Sequence, residues 1–124
     1  MTGVFVDSNV ILDILLDDPT WADWSEAALA DASLTSTLYI NNIVYAEVSM
    51  AFKRIEKLES VLHHGGFKIL EIPKEALFLA GKAFLRYSRS KGTKRSPLPD
   101  FYIGAQAAVL GMDLITRDEG RYRT

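Results

Sequence analysis

The 124-residue sequence contains no cysteine, which excludes disulfides, thiolate metal sites and cysteine nucleophiles. It also lacks any apolar run near the roughly 20 residues needed to cross a bilayer, and its N-terminus shows no signal-peptide pattern. Basic residues are not in excess: 16 acidic side chains against 14 basic ones give a net charge of −2, so overall charge does not indicate nucleic acid binding. We therefore expect a cytoplasmic protein without membrane association.

Strand-like and helical segments alternate along the sequence. With 48% hydrophobic and 24% charged residues, the composition fits one globular domain over residues 1–124. Periodicity predicts strands at 3–6, 36–40, 67–72 and 112–116, and helices at 10–15, 21–29, 43–62, 73–87 and 101–110, with a polar break at 88–99. This alternation predicts an α/β fold, a three-layer α/β/α sandwich around a mostly parallel central sheet.

Four acidic residues fall where a strand ends or a helix begins. Asp7 follows the first predicted strand and Asp118 follows the fourth, whereas Glu47 and Asp100 lie near the starts of two helices. In a parallel α/β sheet these places meet along one edge. Carboxylates that are brought together repel unless cations or protons intervene, so the set predicts a site for a hard divalent metal ion.

Each acid also has a purely structural interpretation. Asp7 could cap the following helix, and Asp100 could complement the dipole of its helix. Asp118 could stabilise a turn. Glu47 could lie on a solvated helix face, although its apolar neighbours predict burial, which is unusual for an unpaired glutamate. The equivalent placement of all four favours the metal site.

The ordered set of motifs resembles PIN-domain ribonucleases, specifically the VapC-type toxins of prokaryotic toxin–antitoxin pairs. The motifs are VDSNVILD at 6–13, NIVYAEV at 42–48, PDFYIGAQA at 99–107 and LITRD at 114–118. Each motif is degenerate, but their order and spacing across nearly the whole chain are specific. The family continues past its last acid into a further turn and a closing edge strand, whereas this sequence ends at Thr124. We therefore expect a short member without that strand.

The resemblance implies a catalytic site, a reaction and partners. The acidic quartet that binds Mg²⁺ or Mn²⁺ in the family is matched by Asp7, Glu47, Asp100 and Asp118. Residues that support these acids are matched by Ser8, Asn9 and Thr116, of which Asn9 would orient the first acid. The implied reaction is endonucleolytic cleavage of RNA by a metal-activated water, leaving a 5′ phosphate and a 3′ hydroxyl. The implied partners are RNA, an inhibitory cognate antitoxin and a second copy in a homodimer.

An acidic pocket repels a phosphate backbone, so RNA binding requires local positive charge. A basic segment precedes Asp100 and contains Arg86, Arg89, Lys91, Lys94 and Arg95. It is either an RNA-contacting rim or a loop kept soluble by its charge. Arg117 and Arg121 are further candidates for the rim.

The two histidines and the two tryptophans have interpretations other than catalysis. His63 and His64 precede two glycines at a predicted helix end, where a cation complements the helix dipole. Trp21 and Trp24 lie on a helical stripe and are predicted to contact the core, an antitoxin or a second copy.

Three other functions fit an acidic α/β pocket less well. Haloacid-dehalogenase-like phosphatases need a second acid at the position of Asn9. A phosphoacceptor receiver domain needs adjacent acids after the first strand and a lysine after a late strand, where this chain has Arg117. A catalytically silent PIN-like scaffold would not need all four acids.

Overall fold

The computed structural model describes residues 2–91 and 98–117, with side chains over 3–86 and 101–117. Its strands are β1 (Thr2–Val6), β2 (Ser36–Asn41), β3 (Phe67–Leu70) and β4 (Asp113–Ile115). Its helices are α1 (Ser8–Leu15), α2 (Ala22–Ser33), α3 (Asn42–Val48), α4 (Ile55–His64), α5 (Lys74–Lys91) and α6 (Leu98–Leu110), with a 3₁₀ turn at Ser49–Ala51. None of the helices in these ranges combines the length and apolarity needed to cross a membrane.

The four strands form one parallel sheet in the order β3-β2-β1-β4. From β1 the chain moves outward through β2 to β3, and it then returns to the other side of β1 with β4. Because β-α-β crossovers are right-handed, this reversal places α1–α4 and α5–α6 on opposite faces of the sheet. The predicted α/β/α sandwich is confirmed. The reversal also creates a crevice at the carboxyl ends of β1 and β4, which is where ligands bind in such sheets.

One main apolar core holds the sheet to its helices. Its fully packed members come from β1, β2 and four of the helices: Val6, Val10, Ile11, Leu38, Ile40, Val44, Val48, Leu58, Leu62 and Ile103. Burial of each such side chain contributes about 1.5–3 kcal/mol. A second cluster joins α5 to α6 through Ala76, Ala80 and Ala105. These small side chains let the two helices approach closely.

Polar residues and glycines define where the helices begin and end. The Asn41 side chain accepts a hydrogen bond from the Val44 amide at 2.8 Å and caps α3. Asp18 accepts from the amides of Thr20 and Trp21, both at 2.9 Å, just before α2. Gly111 adopts a φ of 65° directly after α6, the left-handed conformation that ends helices.

Several predicted elements differ in their extent. The strand predicted at 67–72 ends at Leu70, and the helix predicted at 21–29 continues to Ser33. The helix predicted over 43–62 is interrupted after the 3₁₀ turn, because Phe52 is extended (φ −127°, ψ 147°) and packs against the main core. The Ser49 hydroxyl also donates to the Ala46 carbonyl at 2.6 Å, which competes with the helix ladder. The polar break predicted at 88–99 is narrower, since α5 extends through Lys91 and α6 begins at Leu98. Lysine and arginine are good helix formers, and proline is tolerated in a first turn.

Candidate metal centre

Asp7 lies at the reversal point of the sheet, between β1 and α1. Its side chain is 1% exposed, and its amide donates to the Ile115 carbonyl at 2.9 Å, which extends the β1–β4 pairing by one residue. Although it occupies the N-cap position of α1, its carboxylate makes no capping hydrogen bond. The capping interpretation of Asp7 is therefore wrong, and a different role must account for a buried carboxylate.

Three side chains direct donors at the Asp7 carboxylate. Thr116 Oγ1 donates to Oδ2 at 2.9 Å, and Asn9 Nδ2 donates to the same oxygen at 3.3 Å. Ser8 Oγ lies 3.4 Å from Oδ1. Asn9 Nδ2 is also 3.3 Å from Thr116 Oγ1. Together they fix the orientation of the carboxylate, which is how protein groups prepare a metal-ligating acid.

The amide of Asn9 has a defined orientation at this site. If it were turned over, its oxygen would face the Asp7 carboxylate and the two would repel, so the nitrogen must face Asp7. Its Oδ1 is then a buried acceptor without a hydrogen-bond partner in the part of the chain that the structure describes.

Glu47 is connected to Asp7 through Ser8. Ser8 Oγ donates to Glu47 Oε1 at 2.7 Å, and Ser8 as a residue is only 8% exposed. A hydroxyl has one proton, so the short contact to Glu47 is the principal bond and the contact to Asp7 is weak. Glu47 is half-buried rather than fully buried, unlike Val44 and Val48 on the same helix.

The other two acids of the predicted quartet are less completely described. Asp100 is the third residue of α6, and its side chain lies outside the described side chains. Asp118 lies outside the described residues, as do the C-terminal residues on which an edge strand depends. Over the ranges with described side chains, no three carboxylates or imidazoles come together as a metal site. The quartet therefore remains a prediction. Of its four acids, the structure describes the side chains of Asp7 and Glu47, which are connected through Ser8.

A buried polar connection that the sequence did not reveal ties α6 to the same edge of the sheet. Gln106 is fully buried, accepts from Asn41 Nδ2 at 3.0 Å and donates to the Glu71 carbonyl at 2.9 Å. The two amides and the carbonyl satisfy one another at the carboxyl ends of β2 and β3. Nothing in the local pattern of α6 predicts this, because a single glutamine among apolar residues is also compatible with a solvated position.

Arg117 contacts Asp13 rather than standing free at the rim. Its Nε donates to Asp13 Oδ2 at 2.8 Å, and its guanidinium carbon lies 5.4 Å from the centre of the Trp21 ring. The other basic residues predicted for RNA contact are less completely placed. Arg89 and Lys91 belong to α5 but their side chains are not described, Arg86 is exposed, and Lys94, Arg95 and Arg121 lie outside the described residues.

The histidines lie at the opposite edge of the sheet from Asp7. His63 and His64 end α4 and lead into the amino end of β3, whereas Asp7 follows the carboxyl end of β1 in the same parallel sheet. His64 Nδ1 lies 2.7 Å from the Ser60 carbonyl. Their position at a helix C-terminus agrees with the dipole interpretation.

Comparison with known proteins identifies the family. A PIN domain model matches residues 4–124. The chain belongs to the PIN-domain family. Solved structures that share this PIN fold include VapBC2 from Rickettsia felis bound to a DNA fragment from their promoter, at 20% identity and a TM-score of 0.69 over 95% of this chain and 91% of that one. A toxin–antitoxin complex from Klebsiella pneumoniae matches at 20% identity with a TM-score of 0.71, over 97% of this chain and 90% of that one. FitAcB from Neisseria gonorrhoeae matches at 23% identity with a TM-score of 0.66, over 96% of this chain and 90% of that one.

At these identities the solved structures show a shared fold. No curated protein sequence is significantly similar to the chain. PIN-domain nucleases generally use a divalent metal ion, and the described part of this PIN domain fits one. Its donors are carboxylate oxygens, which hard cations prefer, and Asp7 is buried, oriented by Thr116 and next to the unpaired acceptor of Asn9.

Proposed function

We propose that this PIN domain is a metal-dependent endoribonuclease of the VapC toxin type, which a cognate antitoxin holds inactive. The observation that carries the proposal is the buried Asp7 carboxylate, which is aimed by Thr116 and Asn9 instead of capping a helix. Donors that fix a buried carboxylate in one orientation are how proteins prepare an acid to ligate a metal ion. Ligands of parallel α/β sheets commonly bind at such a reversal point.

The residues of the chain have distinct roles in this proposal. Mg²⁺ or Mn²⁺ is held by Asp7, Glu47, Asp100 and Asp118, and when bound it supplies a more acidic water and neutralises charge on the scissile phosphate. Ser8 restrains Glu47, and Thr116 and Asn9 restrain Asp7. No side chain becomes covalently attached to RNA, and the products carry a 5′ phosphate and a 3′ hydroxyl.

The RNA backbone is attracted by the basic segment before Asp100. We assign this rim to Arg89, Lys91, Lys94 and Arg95. If these residues contact phosphates, Lys94→Gln with Arg95→Gln weakens RNA binding for all sequences and lowers the salt dependence of binding by about one unit of slope per lost contact. An unchanged slope would favour the alternative of a solvated loop.

Partner binding is proposed from the shared fold and from exposed apolar side chains. The similar structures from Rickettsia felis and Klebsiella pneumoniae are toxin–antitoxin complexes, and we propose an antitoxin and a homodimer for this chain as well. Large apolar side chains are exposed on α5 and α2, namely Leu77, Phe78, Leu85 and Trp24. Sedimentation of Phe78→Glu against wild type tests whether α5 contributes to self-association.

The decisive experiment compares two acid variants with a matched control. Asp7→Asn and Asp100→Asn should abolish Mg²⁺- or Mn²⁺-dependent cleavage of total cellular RNA while leaving the circular dichroism spectrum unchanged. Asp31→Asn removes the same charge from an exposed position on α2 and should cleave like wild type. Undiminished cleavage by either active-site variant would refute the assignment of these acids. A wild type that binds metal but cleaves no RNA would favour the silent scaffold.

A further inference from the structure

We propose that Asp13 and Arg117 form a positioning pair, which holds the Thr116 hydroxyl against Asp7 and so sets the metal affinity of the site. The pair itself touches neither metal nor substrate. This inference rests on the proposed role of Asp7 as a metal ligand.

Asp13 is a buried acid outside the predicted quartet. It lies in the last two turns of α1, its side chain is 3% exposed, and its Oδ2 accepts from Arg117 Nε at 2.8 Å and from Ser25 Oγ at 3.0 Å. Ser25 is fully buried on α2. A buried carboxylate is tolerated only when hydrogen-bond donors or a cation satisfy it. Here Oδ2 accepts from a neutral donor, the Ser25 hydroxyl, and from a cationic one, the Arg117 guanidinium.

Arg117 is restrained from a second side as well. Its guanidinium carbon lies 5.4 Å from the centre of the Trp21 ring, in the segment that leads into α2. Its side chain is only 30% exposed. Arginine suits such a place because its planar group can donate to a carboxylate and contact an aromatic ring together. The residue after Thr116 is therefore fastened to both α1 and α2.

Thr116 thus stands between two attachment points. On its amino side, the Ile115 carbonyl accepts from the Asp7 amide at 2.9 Å. On its carboxyl side, Arg117 is held by Asp13. With both neighbours fixed, the Thr116 hydroxyl has a narrow range of positions, and it donates to Asp7 Oδ2 at 2.9 Å. Release of Arg117 frees one side of this segment and weakens the alignment of Asp7.

Two other interpretations of the pair predict different results. If it serves stability alone, its loss lowers the melting temperature without changing metal affinity. If Arg117 contacts RNA, its loss lowers the salt dependence of RNA binding and leaves affinity for Mn²⁺ alone unchanged. The positioning role predicts weaker Mn²⁺ binding that depends on Thr116.

The test is a double-mutant cycle on Mn²⁺ affinity, measured by electron paramagnetic resonance with the metal alone. Arg117→Gln should weaken Mn²⁺ binding about tenfold, the lower end of the effect of residues that support metal ligands. In a Thr116→Val background the same change should matter by less than about twofold, because the hydroxyl that it positions is gone. Arg54→Gln is the control, since it breaks an exposed Arg54–Glu56 ion pair of 3.4 Å, and should have no effect.

A tenfold loss that persists in the Thr116→Val background would overturn the proposal, and so would unchanged affinity with only a lower melting temperature. If Arg117→Gln does not fold, Arg117→Lys keeps the positive charge beside Asp13 but lacks the planar guanidinium that contacts both Asp13 and Trp21. It should weaken Mn²⁺ binding by about two- to threefold, less than complete loss of the charged group, and unchanged affinity in this variant refutes the proposal.

Failure of the proposed function gives a different pattern. If wild type and Asp7→Asn bind Mn²⁺ equally, Asp7 is not a metal ligand, whatever Arg117 does. The positioning role is then decided by a crystal structure of Arg117→Gln or Arg117→Lys. Separation of Thr116 Oγ1 from Asp7 Oδ2 beyond about 3.5 Å supports the positioning role, and retention of the hydrogen bond refutes it.

Discussion

Asn41 Nδ2 donates to Gln106 Oε1 at 3.0 Å, and neither side chain is exposed to solvent. Asn41 ends β2 and caps α3, the helix that carries Glu47, whereas Gln106 lies on α6, the helix that begins with Asp100 in its first turn. One buried hydrogen bond therefore connects the two helices that carry acids of the proposed quartet. The relative position of these helices depends on polar groups as well as on apolar packing.

Two adjacent asparagines allow a matched test of this connection. Asn41→Ala removes the cap of α3 and leaves Gln106 without its donor, so we expect a loss of about 2–4 kcal/mol in the free energy of unfolding. Asn42 is exposed at the first position of α3, and Asn42→Ala should change the free energy of unfolding by less than about 0.5 kcal/mol. Urea denaturation followed by circular dichroism measures both. Equal losses in the two variants would show that the hydrogen bond between Asn41 and Gln106 does not contribute to stability.

Ser8 offers a prediction about Glu47. Its hydroxyl donates to Glu47 Oε1 at 2.7 Å, so Ser8→Ala should leave this carboxylate less restrained and weaken Mn²⁺ binding about tenfold. In a Glu47→Gln background, the Ser8 substitution should have almost no further effect. Isothermal titration calorimetry provides the affinities. Ser33→Ala serves as the control, because it removes an exposed hydroxyl that contacts only the Ala30 carbonyl. A loss that is the same in both backgrounds would contradict a role through Glu47.

The parts of the fold that the sequence predicts correctly are those with a local signal. The alternating strands and helices and the helix end before Gly65 and Gly66 follow from short patterns, and they are confirmed. The interruption at Phe52 could not be predicted, because it arises when that ring packs against residues distant in sequence. Local propensity alone favours an unbroken helix there.

The same distinction applies to the candidate site. Asp7 could be singled out because it directly follows an apolar strand. The partnership of Asp13 with Arg117 could not, since 104 residues separate the two and each has common surface roles. The burial of Gln106 depends on the backbone carbonyl of Glu71 and the side-chain amide of Asn41, which only the folded chain brings together.

Asp18 gives a prediction about pH. The amides of Trp21 and Thr20 donate to its carboxylate and hold its pKa below the ordinary value of 3.8, with a smaller contribution from Arg117. A lowered pKa in the folded state means that ionised Asp18 stabilises the fold above the ordinary pKa, and that this contribution is lost as pH falls through the lowered value. Asp18→Asn keeps an acceptor oxygen but not the charge. Its melting temperature should therefore fall below that of wild type near pH 6 and approach it below about pH 4. A difference that is constant from pH 3 to 7 would contradict this.

Metal binding itself should stabilise the fold through Asp7. A ligand that binds only the folded state at about 100 times its dissociation constant adds about 2.7 kcal/mol, which corresponds to a rise of roughly 10 °C in melting temperature for a domain of this size. We expect this rise for wild type in Mn²⁺, with a smaller one in Mg²⁺ at equal concentration, since Mg²⁺ gives up its waters reluctantly. Asp7→Asn should lose it, whereas Asp31→Asn should keep it. Differential scanning fluorimetry in metal-free buffer, with and without added ion, measures all three proteins. Removal of a carboxylate that ligates the ion must weaken binding of that ion. If Asp7→Asn shows the full rise in melting temperature, the stabilising ion therefore binds at a site that does not include the buried Asp7 carboxylate.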